Sequence, residues 1–131
     1  MKAMFVCLVI LVICVFGLTS LESINADNTK TKIKMLVTAY CPCKKCCGKR
    51  ANGITSIGDN AYQCDGVAAD PRAIPYRTKL KLPYAGVKEV DDTGGDMRKS
   101  WKKGIYHIDL RFKEHQDALD WGVKWLNVEI S

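Results

Sequence analysis

The sequence has no internal repeat, linker-like stretch or low-complexity segment after residue 26, which predicts a single domain. It also has no basic run interleaved with aromatic residues, which make up only 8% of the chain. This absence argues against nucleic acid as a partner. The one long apolar run, from Ala3 to Leu18, is shorter than the ~20 residues that a membrane-spanning helix needs.

The first residues follow the order of a secretory signal peptide. Lys2 precedes the apolar run, and a polar stretch that ends in the small residue Ala26 follows it. We therefore expect cleavage after Ala26, so that residues 1–26 are the signal and 27–131 the mature domain, secreted or held in the cell envelope. An uncleaved membrane anchor is the alternative.

The chain is basic, with 20 Lys and Arg against 14 Asp and Glu and a formal net charge of +6. Loss of the signal removes Lys2 and Glu22, so the net charge stays the same. A basic exported protein is attracted to polyanions, here an anionic cell wall or membrane surface. A basic surface that serves only solubility is the alternative.

Short apolar or alternating stretches, bounded by glycine, proline or polar turns, predict six strands. They are Lys32–Tyr40, Val67–Asp70, Thr78–Leu82, Val87–Val90, Tyr106–Phe112 and Val123–Ile130. Helical spacing predicts one short helix over Lys113–Trp121, ended by Gly122. The pattern predicts an all-β fold, a small closed barrel with one helix near the C-terminus.

The fifth predicted strand has polar side chains on one face and apolar side chains on the other. Its period of two places Ile108 and Leu110 on one side. His107, Asp109 and Arg111 then lie together on the other side.

Cysteines crowd together just after the first strand, at Cys41, Cys43, Cys46 and Cys47, and Cys64 follows. In an exported chain of this size such a cluster usually forms disulfides, and five cysteines would leave one thiol over. A metal site on the first four is the alternative, because Cys43 and Cys46 have ligand spacing. Structural zinc sites normally draw ligands from separated segments, which favours disulfides. A catalytic cysteine is not indicated, since none lies near a histidine in sequence.

Residues 90–96, VDDTGGD, form a carboxylate turn with three aspartates and two glycines. Cleavage of a glycosidic bond needs an acid that is still protonated near neutral pH, and neighbouring carboxylates or burial raise the pKa of an aspartate. Asp109 and Asp70, if close in space, would complete such a group. Gly94 and Gly95 would let the backbone approach a bulky ligand. A solvated turn is the alternative, since Asp and Gly are common turn residues.

Five motifs, in order along the chain, resemble the three-aspartate (3D) domain family. They are Gly66–Pro71, Ile74–Leu80, Asp92–Gly95, Ile108–Phe112 and Ala118–Gly122. Thr38–Tyr40 is similar to the opening of that domain, and Gly53–Gly58 to its threonine-glycine segment. The family includes the catalytic domain of membrane-bound lytic transglycosylase A and stationary-phase survival proteins similar to resuscitation-promoting factors.

The resemblance implies a six-stranded double-psi β-barrel that cleaves the MurNAc–GlcNAc bond of peptidoglycan as a lytic transglycosylase. One carboxylic acid protonates the glycosidic oxygen, and the resulting base helps the muramic acid C6 hydroxyl attack C1, which gives a 1,6-anhydro sugar. The resemblance implies Asp109 as this acid, Asp92 as its charged partner and Asp70 as a third groove residue. It implies glycan strands as the partner, and no cofactor or obligatory protein partner.

The same resemblance implies substrate-binding residues around the aspartates. They are Thr38, Tyr40, Thr55, Thr93, Gly94, Gly95 and His107. The histidine would bind substrate or shift the pKa of its neighbour Asp109, and the alternative is a simple structural neighbour.

The chain departs from the family pattern at three places. The cysteine cluster is one of them, so the resemblance implies no role for it. Arg77 stands where the family has a turn glycine, so we expect no left-handed backbone there. The segment from Asp96 to His107 is longer and carries basic and aromatic residues, which would either grip an anionic stem peptide or form an exposed loop. These residues are Arg98, Lys99, Trp101, Lys102 and Lys103.

Three other functions fit parts of the pattern. A hydrolase of the same bond would use water in place of the C6 hydroxyl. A non-catalytic wall-binding module, similar to expansins, would need the basic and aromatic residues but no protonated aspartate. A purely structural disulfide-stapled domain would leave the aspartates unexplained.

Overall fold

The computed structural model describes residues 30–63 and 65–131. The predicted signal, residues 1–26, and Cys64 lie outside the described residues. Within the part described, no helix has both the length and the apolar character to cross a membrane.

Six strands close into a barrel. They are β1 (Lys32–Tyr40), β2 (Gly66–Ala68), β3 (Lys79–Leu82), β4 (Gly86–Asp92), β5 (His107–Arg111) and β6 (Lys124–Ile130). Their order around the barrel is β1-β5-β2-β4-β3-β6. Two neighbouring pairs, β1 with β5 and β2 with β4, are parallel, and the other four are antiparallel. The prediction of a small, mainly-β, six-stranded closed barrel is confirmed.

The described residues also form three short α-helices outside the barrel strands. They are α1 (Lys44–Cys47), which runs into a 3₁₀ turn at Gly48–Arg50, α2 (Gly95–Trp101) and α3 (His115–Trp121). The last is the predicted helix, and Gly122 ends it with a positive φ of 66°, as expected of a glycine stop. Helices α1 and α2 were not predicted, and α2 occupies part of the segment for which an exposed loop was one of two alternatives.

The barrel interior is filled by the apolar positions of its strands. The fully buried set is Met35, Val37, Val67, Leu80, Val90, Ile108, Leu110 and Val128. This confirms the apolar face predicted for β5. The opposite face of β5 is also largely covered, because α2 packs against that strand and Asp91 binds Arg111. His107 and Arg111 are therefore buried although they are polar.

A β-bulge in β4 sets the direction of two adjacent aspartates. Val67 of β2 aligns with Val90, but the next residue, Ala68, aligns with Asp92, so Asp91 is the extra residue. A bulge redirects side chains from their simple alternation. Asp91 reaches Arg111, while Asp92 lines an open cleft.

Arg77 adopts a left-handed backbone, with φ 70°, so the expectation that an arginine would exclude this conformation was wrong. Its backbone N–H donates to Val90 O at 2.7 Å, and its guanidinium pairs with Glu89 at 2.7 Å and Asp59 at 3.1 Å. These contacts offset the roughly 1–2 kcal/mol that a residue with a Cβ costs in this conformation.

Candidate active site

The strand register brings two of the three predicted aspartates to one face. Asp109 on β5 and Asp92 on β4 are both aligned with Ala68 on β2, which lies between their strands. Thr38 on β1 is aligned with Asp109 on its other side. Asp109, Asp92 and the small Ala68 line the same cleft, whereas Thr38 does not line it and is bonded to Asp109.

Asp109 has the protonation behaviour of a general acid. The pKa of this carboxyl is raised from 3.8 to about 6, chiefly by burial and to a smaller extent by the negative charges of Asp96 and Asp92. One hydrogen bond opposes them: the Thr38 hydroxyl donates to Oδ1 at 2.9 Å and favours the charged form. A substantial fraction of Asp109 is therefore protonated in mildly acidic solution.

Asp92 is held by four hydrogen-bond donors. Tyr40 OH donates to Oδ2 at 2.7 Å. Oδ1 accepts from the Ser56 hydroxyl at 2.6 Å, the Ser56 N–H at 3.0 Å and the Thr93 N–H at 2.8 Å. Because each contact is a donor to oxygen, the carboxylate is fixed in place as an acceptor.

A buried ion pair supports Tyr40 from behind. Arg111 Nη1 donates to Tyr40 OH at 3.0 Å and to Asp91 Oδ1 at 3.0 Å. The Arg111 and Asp91 side chains are only 1% and 4% exposed. Burial raises the pKa of Tyr40, so its hydroxyl keeps the proton that it donates to Asp92. Asp91 is therefore connected to Asp92 through Arg111 and Tyr40.

A second row of hydrogen bonds runs away from Asp109. Thr38 Oγ1 lies 2.9 Å from His107 Nε2, and His107 Nδ1 lies 2.9 Å from Ser100 Oγ. Burial lowers the pKa of His107, so the ring is neutral at neutral pH. When Asp109 is ionised, Thr38 donates to it, Nε2–H donates to Thr38, and Nδ1 accepts from Ser100. When Asp109 is protonated, the direction of the row can reverse.

The cleft in front of the aspartates has a volume of about 610 Å³, a size common for small-ligand sites. Four of the predicted binding residues, besides Tyr40, line it: Thr55, Thr93, Gly94 and Gly95. The Thr93 hydroxyl oxygen is buried and has no hydrogen-bond partner among the described residues. A side chain at position 95 would meet only open space.

Two predicted binding residues lie behind the cleft rather than in its wall. Thr38 and His107 form the row described above and do not line the cleft. Thr55 reaches the cleft, but its hydroxyl oxygen already accepts from the Asp59 N–H at 3.1 Å. We therefore interpret these three as residues that position others.

The structure places Asp70 apart from the other two aspartates. It is 2% exposed and does not line the cleft. Its carboxylate accepts from the Arg72 N–H at 2.9 Å and from Arg72 Nε at 3.0 Å, and these bonds hold the pKa of Asp70 below its usual value. This geometry fits an anchor for its own turn.

The basic rim of the cleft comes from two segments. Lys49 and Arg50 line it on one side and Arg98 of α2 on the other. The remaining residues of the basic segment do not: Lys99 pairs with Asp96 at 3.0 Å, and Trp101 packs against Tyr106 with ring centroids 5.2 Å apart. Lys102 and Lys103 are exposed.

Several residues of the site were not predicted from the sequence. Ser56 lies in the recognised threonine-glycine segment but carried no signal of its own, and the contact of Ser100 with His107 depends on the fold. Arg111 belongs to the predicted polar face of β5, but its bonds to Tyr40 and Asp91 were not predicted. His115 is the other omission, because it follows the cysteine cluster by many positions. Its Nδ1 lies 3.4 Å from Cys41 Sγ.

The four described cysteines are unpaired thiols, and the disulfide pattern stays a prediction. Cys46 and Cys47 line the cleft beside Lys49. The loop that carries the cysteines is therefore part of the wall of the site.

Fold and site together define a class: a small closed β-barrel with an open polar cleft, one aspartic acid of raised pKa and a second carboxylate fixed by donors. No model of a known protein family matches the chain. A comparison with curated proteins finds no match either.

Proposed function

We propose that this protein is an exported enzyme that cleaves the MurNAc–GlcNAc bond of peptidoglycan, as a lytic transglycosylase. The observation that carries the proposal is the pair formed by Asp109, with a pKa of about 6, and Asp92 across the small Ala68. The resemblance to the three-aspartate domain family and the predicted signal support the substrate and the location.

In the proposed reaction, protonated Asp109 donates its proton to the glycosidic oxygen as the C1–O bond breaks. Positive charge develops at C1, and the fixed carboxylate of Asp92 stabilises it. Asp109 then accepts the proton of the muramic acid C6 hydroxyl, whose oxygen bonds to C1. The acid is regenerated, and no water is consumed.

The contacts of Asp92 favour this route over hydrolysis. A hydrolase that uses two carboxylates needs the second one free to act as a base or nucleophile. Both oxygens of Asp92 are already bound, Oδ2 by Tyr40 and Oδ1 by Ser56 and Thr93. Such a group supplies charge and keeps its position, and the single working acid is Asp109.

The basic rim supports an anionic ligand. Lys49, Arg50 and Arg98 line a cleft whose floor is acidic. The stem peptides of peptidoglycan carry carboxylates, so a strand could be held at the rim by its peptides while the sugars meet the aspartates.

The test is mass spectrometry of soluble products after the purified chain is incubated with peptidoglycan, beside Asp109→Asn. We expect anhydro-muropeptides from the wild type and none from the variant. Asp120→Asn, at an exposed carboxylate of α3 outside the cleft, is the matched control and should keep full activity. Reducing-end products would show a hydrolase, and wall binding without products would show a binding module.

A further inference from the structure

One cluster of reactive side chains plays no part in the proposed reaction. Cys41, Cys43 and Cys46 converge on His115, with all four ligand atoms within 4.8 Å of one another. Nδ1 of His115 lies 3.4 Å from Cys41 Sγ, 3.6 Å from Cys43 Sγ and 3.4 Å from Cys46 Sγ. Cys41 Sγ lies 2.9 Å from Cys43 Sγ and 3.4 Å from Cys46 Sγ.

We propose that these four side chains, Cys41, Cys43, Cys46 and His115, bind one structural zinc ion. A tetrahedral ion with Zn–S bonds of about 2.3 Å and Zn–N bonds of about 2.1 Å separates its ligand atoms by about 3.5–3.8 Å. The distances from His115 to the three sulfurs already match this closely. Of the sulfur pairs that include Cys41, Cys41 and Cys43 have to move apart by just under 1 Å, and Cys41 and Cys46 by about 0.4 Å.

The topology supplies the separated segments that a structural zinc site normally uses. Cys41 and Cys43 lie between the end of β1 and the start of α1, and Cys46 lies in α1, whereas His115 begins α3, after β5. The chain therefore returns to the cysteines from a distant part of the sequence. The argument against a metal site, that all candidate ligands crowded into one loop, does not apply to this set.

Cys47 is not a member of the set. Its sulfur donates to the backbone carbonyl of Cys41 at 3.3 Å and is absent from the group that shares Nδ1 of His115. The ligand set is then Cys-x-Cys-x-x-Cys with a distant histidine, and it replaces the set of four cysteines considered from sequence.

The donor types select the metal. Three thiolates and one imidazole are soft to borderline ligands that suit zinc, and no carboxylate is present to favour calcium or magnesium. Four protein ligands also close the coordination sphere, which is typical of structural rather than catalytic zinc. Binding would release the thiol protons to solvent.

The zinc would fix one wall of the cleft. The ligand Cys46 itself lines the cleft, and the chain continues from it through Lys49 and Arg50 of the basic rim. Tyr62 OH also donates to Pro42 O at 3.2 Å, so the loop has one further tie to the body. The ion would join this wall to α3 and thereby to the barrel.

The experiment measures zinc in the chain purified without chelators, by elemental mass spectrometry, in the wild type and in five variants. We expect about one zinc per wild-type chain and a loss of about tenfold or more in Cys41→Ser, Cys46→Ser and His115→Gln. Cys47→Ser is the matched control and should keep the metal. Asp109→Asn should also keep it, so the proposed reaction and the zinc site can fail independently.

Cobalt gives a second test that needs no variant. Co²⁺ added to the metal-free wild-type chain should produce the intense visible bands of a tetrahedral site and a sulfur-to-metal charge-transfer band, both removed by one equivalent of Zn²⁺. Thiol titration should show protection of three cysteines that ends when a chelator is added. Disulfides among these cysteines, equal metal loss in Cys47→Ser, or no metal binding by reduced wild-type chain would each overturn the proposal.

Discussion

Asp109 acquires its properties from its neighbours on β5 and the adjoining strands. Its ordinary pKa would leave it ionised near neutral pH, and its surroundings, burial above all, raise that value to about 6. Thr38 limits the shift by its hydrogen bond. The two effects together determine the pH range in which the carboxyl can act as an acid.

Activity should follow the protonation of Asp109. We expect kcat/KM to decline above about pH 6, because the ionised carboxylate has no proton to donate. The measurement is the rate of release of soluble muropeptides from pH 4 to 8. A profile that rises through this range would contradict the assignment of Asp109 as the acid.

Thr38→Val provides the control for this profile. The variant keeps the shape of the side chain and removes the donor that lowers the pKa of Asp109. The declining limb should therefore move to higher pH while the fold is retained. An unchanged limb would mean that another group controls it.

The same burial has a cost in stability. Because the folded pKa of Asp109 lies above its unfolded value of 3.8, the folded chain binds more protons between about pH 4 and 6. The free energy of unfolding should therefore decrease as pH rises through this window, and Asp109→Asn should remove that decrease. At pH 7 we expect the variant to be more stable by about 1–3 kcal/mol. Urea unfolding of both proteins at four pH values tests this, and an equal pH slope would refute it.

The pair Asp91 and Arg111 should dominate local stability. Asp91→Ala would leave a guanidinium that is 1% exposed without its carboxylate, at a cost of about 3–5 kcal/mol. Denaturant unfolding measures it. The matched control is Asp65→Ala, which breaks a pair with Lys88 whose carboxylate is 69% exposed and should cost about 1 kcal/mol or less.

At the scale of the elements, the three-residue strand β2 determines the positions of several site residues. It separates the strands of the two aspartates, and it begins at Gly66, where a Cβ would overlap the carboxylate of Asp91. Glycine here serves close packing, because its backbone is not in the left-handed region. The bulge opposite β2 then directs Asp92 to the cleft.

Gly66→Ala should therefore destabilise the barrel by about 1–3 kcal/mol, since the added methyl group pushes against a buried ion pair. Thermal unfolding measures the loss. Gly86→Ala separates sterics from conformation: its Cβ meets nothing within 4 Å, but its φ of 72° penalises alanine by backbone strain alone. A Gly66 variant as stable as the wild type would contradict the close contact.

The sequence predicted the strands well, because alternation over five or more residues is a strong signal. Strand β1 has the predicted bounds, and β5 differs by one residue at each end. Helix α1 has only four residues, too few for a helical period to be recognised. Helix α2 begins at Gly95, a residue typical of turns, whereas α3, of the same length, is followed by the stop signal Gly122. The bulge at Asp91 also could not be predicted, since it interrupts the alternation on which the prediction relied.

The candidate site was predicted in part. Asp109 and Asp92 share the cleft, but the pairing of Asp70 with Arg72 depends on a turn whose side-chain contacts leave no periodic trace. The approach of His115 to the cysteines is a tertiary contact of the same kind. Sequence patterns indicate which residues can take part in a site, but only the folded barrel determines which of their side chains are in contact.

At the scale of the whole molecule, the net charge of +6 and the basic rim should produce salt-sensitive attachment to anionic walls. Retention on isolated walls should fall when the ionic strength is raised from about 0.05 to 0.5 M, because screening shortens the reach of surface charges. A triple variant of Lys49, Arg50 and Arg98 to Gln should bind more weakly at low salt. Salt-independent retention would indicate that electrostatics do not hold the protein there.

The two aspartates lie on barrel strands beside Ala68, whereas the basic residues of the cleft lie outside the strands, so the two groups can change independently in evolution. The distance between acid and partner is determined by the width of neighbouring strands in a closed barrel, which insertions in surface segments do not alter. The rim residues, by contrast, lie on the 3₁₀ turn and α2, outside the strands. Under the proposed function, changes in those segments would therefore alter which wall polymer is bound and leave Asp109 and Asp92 in place.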